Sequence, residues 1–466
     1  MAEKSKGVLL SEQLMMPRAH IMDVRPEIKE DAWAFCEPYK KFLDNGKIER
    51  EVVDESVELL RAAGYRPYDR KAAYTAGDKV YWVNRGHAIL AATFGQHPLN
   101  EGLRITAAHI DSPRLDLKPT PMYEDNEIAY FKTTYYGGIR KYQWGVTPLA
   151  LHGVIVKKGG EVLKVNIGED AGDPLMYITD LLPHLAVQQN QRSLPEGLKA
   201  EELNIVLGSL PYDDKEMEAD RVKLAVMQLL NEKYGITERD FARAELEIVP
   251  AFKAQDVGLD RSMIGSYGHD DRVCAYPALR AEIDTVAPPY TTVCVLTDKE
   301  EIGSDGVTGL ASDYLAQFLE SISEQQGFNY KEVFEKAVCL SADVTAAYDP
   351  TFAEVYDPHT AAYINHGPSI SKYTGRGGKG GASDATAELV ARIEDIFDEA
   401  NVCWQINQMG KTDNGGGGTV ARCVASHNID VLDVGVPMLS MHSPYELVAK
   451  LDVYMTYLAF MAFNAQ

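Results

Sequence analysis

One stretch constrains the fold of this chain more than any other: the almost uncharged, β-branched residues 290–297. They follow two consecutive prolines, and this combination is typical of a buried central strand of a sheet. Glu300 and Glu301 come shortly after the run and are followed by Gly303. Because adjacent carboxylates repel each other and lose hydration at the end of a buried strand, we expect a cation or a proton-transfer task there. A solvated turn is the alternative.

Length and charge restrict the class of protein. A chain of 466 residues exceeds one ordinary core, so we expect two domains. The net charge of −23 argues against nucleic acid and membranes as partners. No apolar run reaches the roughly 20 residues of a membrane helix, and residues 1–6 lack the apolar segment of a signal peptide. Six scattered cysteines without a Cys-x-x-Cys pair indicate free thiols in a reducing cytoplasm, and they argue against a thiolate-ligated zinc site.

The order of predicted elements indicates an α/β protein with an insertion. Strands alternating with helices predict an α/β domain of residues 1–118 and 257–466, with three layers in which helices cover both sides of a mixed sheet. From residue 119 to residue 256, short strands and clustered tyrosines replace this alternation and predict an inserted β-rich domain. Within the second part of the α/β domain, residues 307–325 and residues 445–462 are predicted to be helices.

Metal-capable side chains follow several core strands or begin a helix. A small-residue strand ends in His109 and Asp111, which a strand's period of two places on one face. The others are Asp270 with Asp271 before a helix, Glu300 with Glu301, Asp343 after a short apolar strand, and His442 in a loop after a strand. Each one alone is ordinary as a buried residue or a helix cap. Since α/β sheets place sites beyond the carboxyl ends of their strands, we expect all five positions to converge.

The chemistry of this set indicates two divalent ions. Imidazole and carboxylate ligands without thiolate suit zinc, with cobalt and manganese as alternatives. Two histidines and three carboxylates exceed what one catalytic zinc uses, whereas two ions about 3.5–4 Å apart would share a bridging carboxylate. Asp270 is the best candidate for the bridge. One of the two adjacent glutamates would then bind metal, and the other would take the proton from the metal-bound water.

These motifs together resemble those of a known family, the M18 metalloaminopeptidases (aspartyl aminopeptidase and aminopeptidase I). The resemblance covers essentially the whole chain in order. Its motifs are His109-Ile110-Asp111-Ser112-Pro113, Asp270-Asp271, Glu300-Glu301-Ile302-Gly303-Ser304, Ser341-Ala342-Asp343 and Met441-His442-Ser443, with Tyr136-Gly137-Gly138-Ile139 and Pro183-His184-Leu185-Ala186 matching the family's dimerisation domain.

The resemblance implies roles for individual residues. It implies that Asp270 bridges the ions and that Glu300 is the general base, while Asp111 orients His109. The terminal ligands that it implies are His109, Glu301, Asp343 and His442. His184 would reach into a neighbouring subunit and stabilise the oxyanion, in dimers that assemble into a tetrahedral dodecamer acting on peptides.

The chain departs from the family pattern at two places, and the second concerns substrate recognition. The family usually has Asp-Asn where this chain has Asp270-Asp271 followed by Arg272. Residues 372–383, where acid-specific members carry basic substrate contacts, are rich in glycine here, and Lys379 is the candidate for substrate binding.

Two other functions remain as alternatives. An M20-like metallo-deacylase or carboxypeptidase would share the His-x-Asp and Glu-Glu motifs, but the position of the insertion and the Asp270-Asp271-Arg272 site favour the aminopeptidase. A non-catalytic assembly protein on the same fold should have lost ligands, and here every ligand position is filled.

Overall fold

The computed structural model describes residues 4–16 and 18–466. Its strands are β1 (Arg66–Pro67), β2 (Lys79–Asn84), β3 (Ala88–Thr93), β4 (Leu103–His109), β5 (Arg114–Asp125), β6 (Ile128–Tyr136), β7 (Leu149–Val156), β8 (Val162–Ile167), β9 (Tyr177–Ile178), β10 (Ile205–Gly208), β11 (Ala244–Pro250), β12 (Gln255–Val257), β13 (Met263–Ser266), β14 (Thr291–Thr297), β15 (Val338–Ser341), β16 (Thr345–Ala346), β17 (Ser369–Ser371), β18 (Gln405–Ile406), β19 (Asp430–Gly435), β20 (Pro437–Leu439) and β21 (Glu446–Ala449). Its helices are α1 (Lys6–Leu14), α2 (Ile21–Val24), α3 (Lys29–Asn45), α4 (Glu49–Ala62), α5 (Arg221–Tyr234), α6 (His269–Asp284), α7 (Tyr314–Gln325), α8 (Tyr330–Lys336), α9 (Ala387–Glu399), α10 (Ala421–Ala425) and α11 (Lys450–Asn464).

A nine-stranded mixed sheet forms the centre of the molecule, with strand order β1-β2-β3-β14-β4-β15-β19-β17-β18. Its four middle strands, β14, β4, β15 and β19, are parallel. Every residue of β14 and β4 is buried, which explains their apolar composition and confirms the predicted central strand. In the register of these strands His109 lies opposite Thr297, so both strands end at the same edge.

Helices pack on both faces of this sheet, which confirms the predicted three-layer α/β fold. Neighbouring residues of one strand enter different cores: Ala108 packs in the cluster with α3, α4, α6, α9 and α11, and Ala107 packs in the cluster with α7, α8 and α10. This separation follows from the period of two in a strand.

A seven-stranded antiparallel sheet lies between β4 and β12 in the chain, with strand order β8-β7-β11-β5-β6-β10-β9. It has its own apolar core, which includes Phe131, Trp144 and Phe241. The sheet begins at Arg114, ahead of the predicted boundary at residue 119, because β5 continues almost directly from the turn after His109.

A third sheet has five short strands in the order β12-β13-β21-β20-β16. Its residues Ile264, Met438 and Val448 belong to the core on one face of the nine-stranded sheet. This sheet includes the first residues of the helix predicted over 445–462, so that prediction is wrong at its start. Residues 446–449 form β21, which pairs with β13 and β20, and α11 begins only at Lys450.

The predicted helix over residues 307–325 is also wrong in its first part, since α7 begins at Tyr314. Gly309 forms a parallel bridge with Asp298, and the Thr308 hydroxyl donates to the Asp298 carboxylate at 2.6 Å. These contacts hold the segment against the end of β14 and leave it unavailable for a helical turn. Across the described ranges, no helix combines the length and apolar character that a membrane crossing requires.

Candidate metal centre

The carboxyl ends of the parallel strands bring the predicted ligands together. His109 is the last residue of β4, Glu300 and Glu301 form a short 3-10 turn after β14, and Asp343 follows β15. Parallel strands that end at one edge of a sheet direct their following residues into one crevice. Asp270 joins them from the first turn of α6, and His442 from the loop between β20 and β21.

Asp270 lies between the two histidines. Its Oδ1 is 3.2 Å from Nε2 of His109, and its Oδ2 is 3.2 Å from Nε2 of His442. One carboxylate therefore presents one oxygen to each imidazole, which is the arrangement a carboxylate bridging two ions would have.

The remaining carboxylates divide between the two histidines. Oδ1 of Asp343 is 3.9 Å from Nε2 of His109, whereas Oε1 of Glu301 is 3.3 Å from Nε2 of His442. Glu300 extends its Oε2 to within 4.0 Å of Nε2 of His109. By these distances the five predicted ligands can be assigned to two sets of three that share Asp270. Other close groups of ligand atoms in the described residues of this centre are His109 with Asp270 and Glu301, His109 with Glu300 and Asp343, and Asp270 with Asp271 and Asp343.

This centre is short of positive charge. Burial and then the neighbouring Asp270 raise the pKa of Glu301 well above its ordinary value, and burial and then Asp271 do the same to Asp343. Oε1 of Glu301 is buried without a hydrogen-bond donor. A buried oxygen without a donor among mutually repelling carboxylates fits a site for cations.

The Glu300 carboxyl has the properties of a proton acceptor near neutral pH. Burial raises its pKa to about 7, and the imidazole of His109 opposes that shift. A group with a pKa near the working pH is well suited to take up and release a proton.

The buried carboxylate of Asp111 holds the turn that carries both glutamates. It accepts hydrogen bonds from the backbone N–H groups of Glu300 and Glu301, each at 3.2 Å. Nδ1 of His109 is 3.0 Å from the backbone oxygen of Asp111 and 3.3 Å from its Oδ1. Since these neighbours only accept hydrogen bonds, they keep the proton on Nδ1 and leave the lone pair on Nε2.

Glu446 is a residue of this centre that the sequence interpretation missed. Its carboxylate accepts the backbone N–H of His442 at 2.7 Å and the backbone N–H of Asp270 at 3.1 Å. Glu446 therefore connects the loop that carries His442 to helix α6, which carries Asp270. A lone acid directly before Leu447-Val448-Ala449 was the available signal, because an acid in such an apolar strand needs a buried partner.

A cavity of about 580 Å³ opens onto the cluster. Its floor includes Asp270, Glu301 and His442, and two glycine-rich segments, residues 375–381 and 415–418, form much of its wall. Two arginines, Arg376 and Arg422, also line it. The cavity is therefore large enough to admit a residue of a substrate beside the ligands.

Two other predicted site residues lie away from the cluster in this single chain. His184 is exposed in the loop after β9, among the exposed side chains of Leu181, Leu182 and Leu185. Nζ of Lys379 pairs with Asp384 at 2.8 Å and lies over the ring of Tyr373. Neither His184 nor Lys379 is among the residues that line the cavity.

Another group of possible ligands, Glu49, His87 and Asp298, already has cationic partners. Nζ of Lys299 is 2.7 Å from Oδ2 of Asp298, and Nη1 of Arg114 is 3.4 Å from Oε2 of Glu49. We interpret this group as a buried ion-pair network. It connects α4 and the turn before β3 to the end of β14.

Comparisons with known proteins identify relatives of this chain. The family model described as Aminopeptidase I zinc metalloprotease (M18) matches residues 42–464. A probable M18 family aminopeptidase 1 from Borrelia garinii subsp. bavariensis is 44% identical over 446 residues, covering 94% of this chain and 97% of the relative.

Solved structures show the same similarity. The crystal structure of an M18 family aminopeptidase from Thermotoga maritima has a TM-score of 0.92 and 42% identity, covering 96% of this chain and 99% of the other. The mApe1 dodecamer of Saccharomyces cerevisiae shares the fold, with a TM-score of 0.73 at 22% identity over 94% of this chain and 97% of that one. The chain therefore belongs to the M18 family of aminopeptidases, which are zinc metalloproteases.

Proposed function

We propose that this protein is a two-metal aminopeptidase that removes the N-terminal residue from peptides. The observation that supports this best is the position of Asp270, whose two oxygens each lie 3.2 Å from the Nε2 of a different histidine. His109 and Asp343 would hold one ion, His442 and Glu301 the other, and Asp270 both. Zinc is the first expectation, because imidazole and carboxylate ligands suit it and the family is a zinc family.

Two bound ions would lower the pKa of a water molecule and polarise the scissile carbonyl. Glu300 is the residue we propose as general base. Its Oε2 lies 4.0 Å from Nε2 of His109, and burial raises its pKa to about 7. It would take the proton of the attacking water and deliver it to the nitrogen of the leaving peptide, while Asp111 holds the backbone of Glu300 in place.

The chemistry of the cavity supports cleavage at the N-terminus. A free α-amine has a lone pair and N–H donors, so it would bind near one ion and the nearby carboxylates among the lining residues Asp270, Glu300 and Glu301. An acetylated nitrogen is not basic and would bind an ion poorly. Specificity for an unblocked N-terminus follows from this difference.

We also propose that the protein acts as a homo-oligomer in which the inserted domain, residues 119–256, makes contact between copies. His184 is exposed, and it is accompanied by Leu181, Leu182, Leu185 and Val187, which are between 50% and 68% exposed. Such a patch is typical of an interaction surface. The solved S. cerevisiae structure is a dodecamer. By resemblance to the family, we propose a tetrahedral dodecamer here, with His184 entering a neighbour's cavity as an oxyanion donor.

A substrate panel tests the proposed reaction. Purified protein loaded with zinc, cobalt or manganese would be assayed on a set of aminoacyl amides and on N-acetylated peptides. We expect hydrolysis of the free amides only. Hydrolysis of acetylated substrates would instead favour an M20-like deacylase or carboxypeptidase, and absence of any hydrolysis by a chain with both ions bound would favour the non-catalytic reading.

A further inference from the structure

Residues 136–138 connect the seven-stranded sheet to the metal centre. The segment begins at Tyr136, the last residue of β6. It contacts Asp111 and Glu301, which follow strands of the nine-stranded sheet, and His442 in the loop between β20 and β21. We propose that this 136–138 segment positions the metal ligands, with Tyr136 acting through Asp111 on His109 and Gly138 acting directly on His442. The inference rests on the proposed function, because it concerns the ions that those ligands would hold.

At one end of the segment, Tyr136 fixes the Asp111 carboxylate. Its hydroxyl donates to Oδ2 of Asp111 at 2.8 Å, and its ring packs 3.8 Å from the guanidinium of Arg114. Asp111 is fully buried and also accepts the backbone N–H groups of Glu300 and Glu301. Loss of the hydroxyl would leave a buried carboxylate oxygen with one donor fewer, so the carboxylate would be free to turn.

The position of His109 depends on Asp111 in the same way. Nδ1 of His109 has the backbone oxygen of Asp111 at 3.0 Å and its carboxylate at 3.3 Å. These contacts set the rotation of the imidazole and the direction of its Nε2 lone pair. Tyr136 is therefore a positioning residue for the ion held by His109 and Asp343.

At the other end, the backbone of Gly138 fixes His442. Nδ1 of His442 donates to the carbonyl oxygen of Gly138 at 3.0 Å. Because a carbonyl oxygen only accepts hydrogen bonds, Nδ1 keeps the proton and Nε2 is left with its lone pair. That Nε2 faces Oδ2 of Asp270 at 3.2 Å and Oε1 of Glu301 at 3.3 Å.

Both glycines of the segment lie too close to ligands to carry a side chain freely. A Cβ atom on Gly138 would lie 3.1 Å from Nδ1 of His442, and one on Gly137 would lie 3.1 Å from Oε2 of Glu301. Gly137 also has a φ of 72°, in the region that favours glycine. Gly138→Ala is the sharper test, because its backbone is not in the left-handed region and the added methyl group presses on the His442 ring alone.

Two variants separate the two ends of the segment. Tyr136→Phe removes only the hydroxyl that reaches Asp111 and keeps the ring on Arg114. Matched controls in the same sheet unit are Tyr135→Phe, whose side chain is 49% exposed, and Gly197→Ala, whose φ of −49° accepts alanine. Metal-stripped protein would be titrated with zinc against a competing chelator, and the cobalt form would be examined by absorption spectroscopy for the geometry at each ion.

We expect zinc affinity to fall by about 10–100-fold in each variant, the magnitude typical of losing a hydrogen bond in the outer shell of a metal site. The changes in the cobalt spectrum should differ, because Gly138→Ala acts on His442 alone, whereas Tyr136→Phe acts through Asp111 on His109 and on the backbone of Glu301. The controls should bind as the unaltered chain does. Circular dichroism would establish that each variant is folded, and Tyr136→Phe alone decides the question if Gly138→Ala does not fold.

Two results would overturn the inference, and they are distinguishable. If the unaltered chain binds two ions and Tyr136→Phe binds both with unchanged affinity and spectrum, the segment does not position the ligands, while the proposed two-metal function stands. If the unaltered chain binds no divalent ion, the proposed function fails and the inference fails with it.

Discussion

The Glu446 carboxylate accepts the backbone N–H of Asp270 at 3.1 Å, across 176 positions of sequence. Its other oxygen accepts the backbone N–H of His442. Glutamine at this position has one acceptor oxygen in place of two, so one of these two N–H groups would lose its partner. We expect Glu446→Gln to weaken zinc binding about tenfold with the fold retained, as measured by chelator competition. The exposed Glu335→Gln is the matched control, and equal affinities in the two variants would contradict this role.

The bridging role of Asp270 predicts unequal metal contents in two variants. His442→Ala removes a ligand from one set only. The variant should therefore hold about one ion per chain, whereas the unaltered protein holds about two. Asp270→Asn disturbs both sets and should leave fewer than one. Metal content after gel filtration can be measured by mass spectrometry, with the exposed His359→Ala as control. Equal losses in the two ligand variants would argue against a shared carboxylate.

Glu300 is predicted to transfer protons and not to bind either ion. Glu300→Gln keeps the size of the side chain and removes its basicity, so kcat should fall by about 10²–10⁴-fold. The metal content should stay at the value of the unaltered chain, and Glu335→Gln should keep full activity. Peptidase activity within a few-fold of the unaltered protein would exclude Glu300 as the base.

His87 predicts a pH dependence of stability away from the metal centre. Nδ1 of His87 lies 3.1 Å from Glu49, and Nε2 lies 3.2 Å from Glu245. Burial opposes the charge, but the hydrogen bonds with Glu245 and Glu49 outweigh it and raise the pKa of His87 to about 9. Because this pKa is above the unfolded value of about 6.5, the stabilisation is complete below that pH and is lost as the pH rises through 9.

The contribution of His87 to the free energy of unfolding should therefore fall by up to about 3 kcal/mol between pH 6.5 and 9. His87→Gln should flatten the decline of the thermal midpoint over that range, whereas His359→Gln should leave it as in the unaltered protein. If the thermal midpoint declined equally with pH in the unaltered protein and in both variants, groups other than His87 would cause the pH dependence.

Most of the proposed metal ligands could be predicted, because each follows a local sequence pattern that identifies a strand or the start of a helix. The apolar runs before His109, Glu300 and Asp343 identify buried strands, and the parallel order of an α/β sheet then places their ends together. The three-layer fold could be predicted from the alternation of strands and helices along the chain.

Other features depend on contacts between distant segments and leave little trace in local sequence. The hydrogen bonds of Tyr136 and Gly138 to the metal centre join segments that no periodicity connects. The start of α7 at Tyr314 has a similar origin, since contacts of Thr308 and Gly309 with Asp298 override a helical pattern. The role of His184 stays a prediction, because it concerns a neighbouring copy of the chain, and the predicted domain limits stay predictions as well.

The register of β4 against β14 has a consequence for how the protein acquires its metal. His109 lies opposite Thr297, and a slip of one residue would turn its side chain to the other face of the sheet. Main-chain pairing in the core therefore determines on which face of the sheet this ligand lies. We expect the chain to fold in the absence of metal, to take up ions afterwards into a prepared site, and to exchange one metal for another without unfolding.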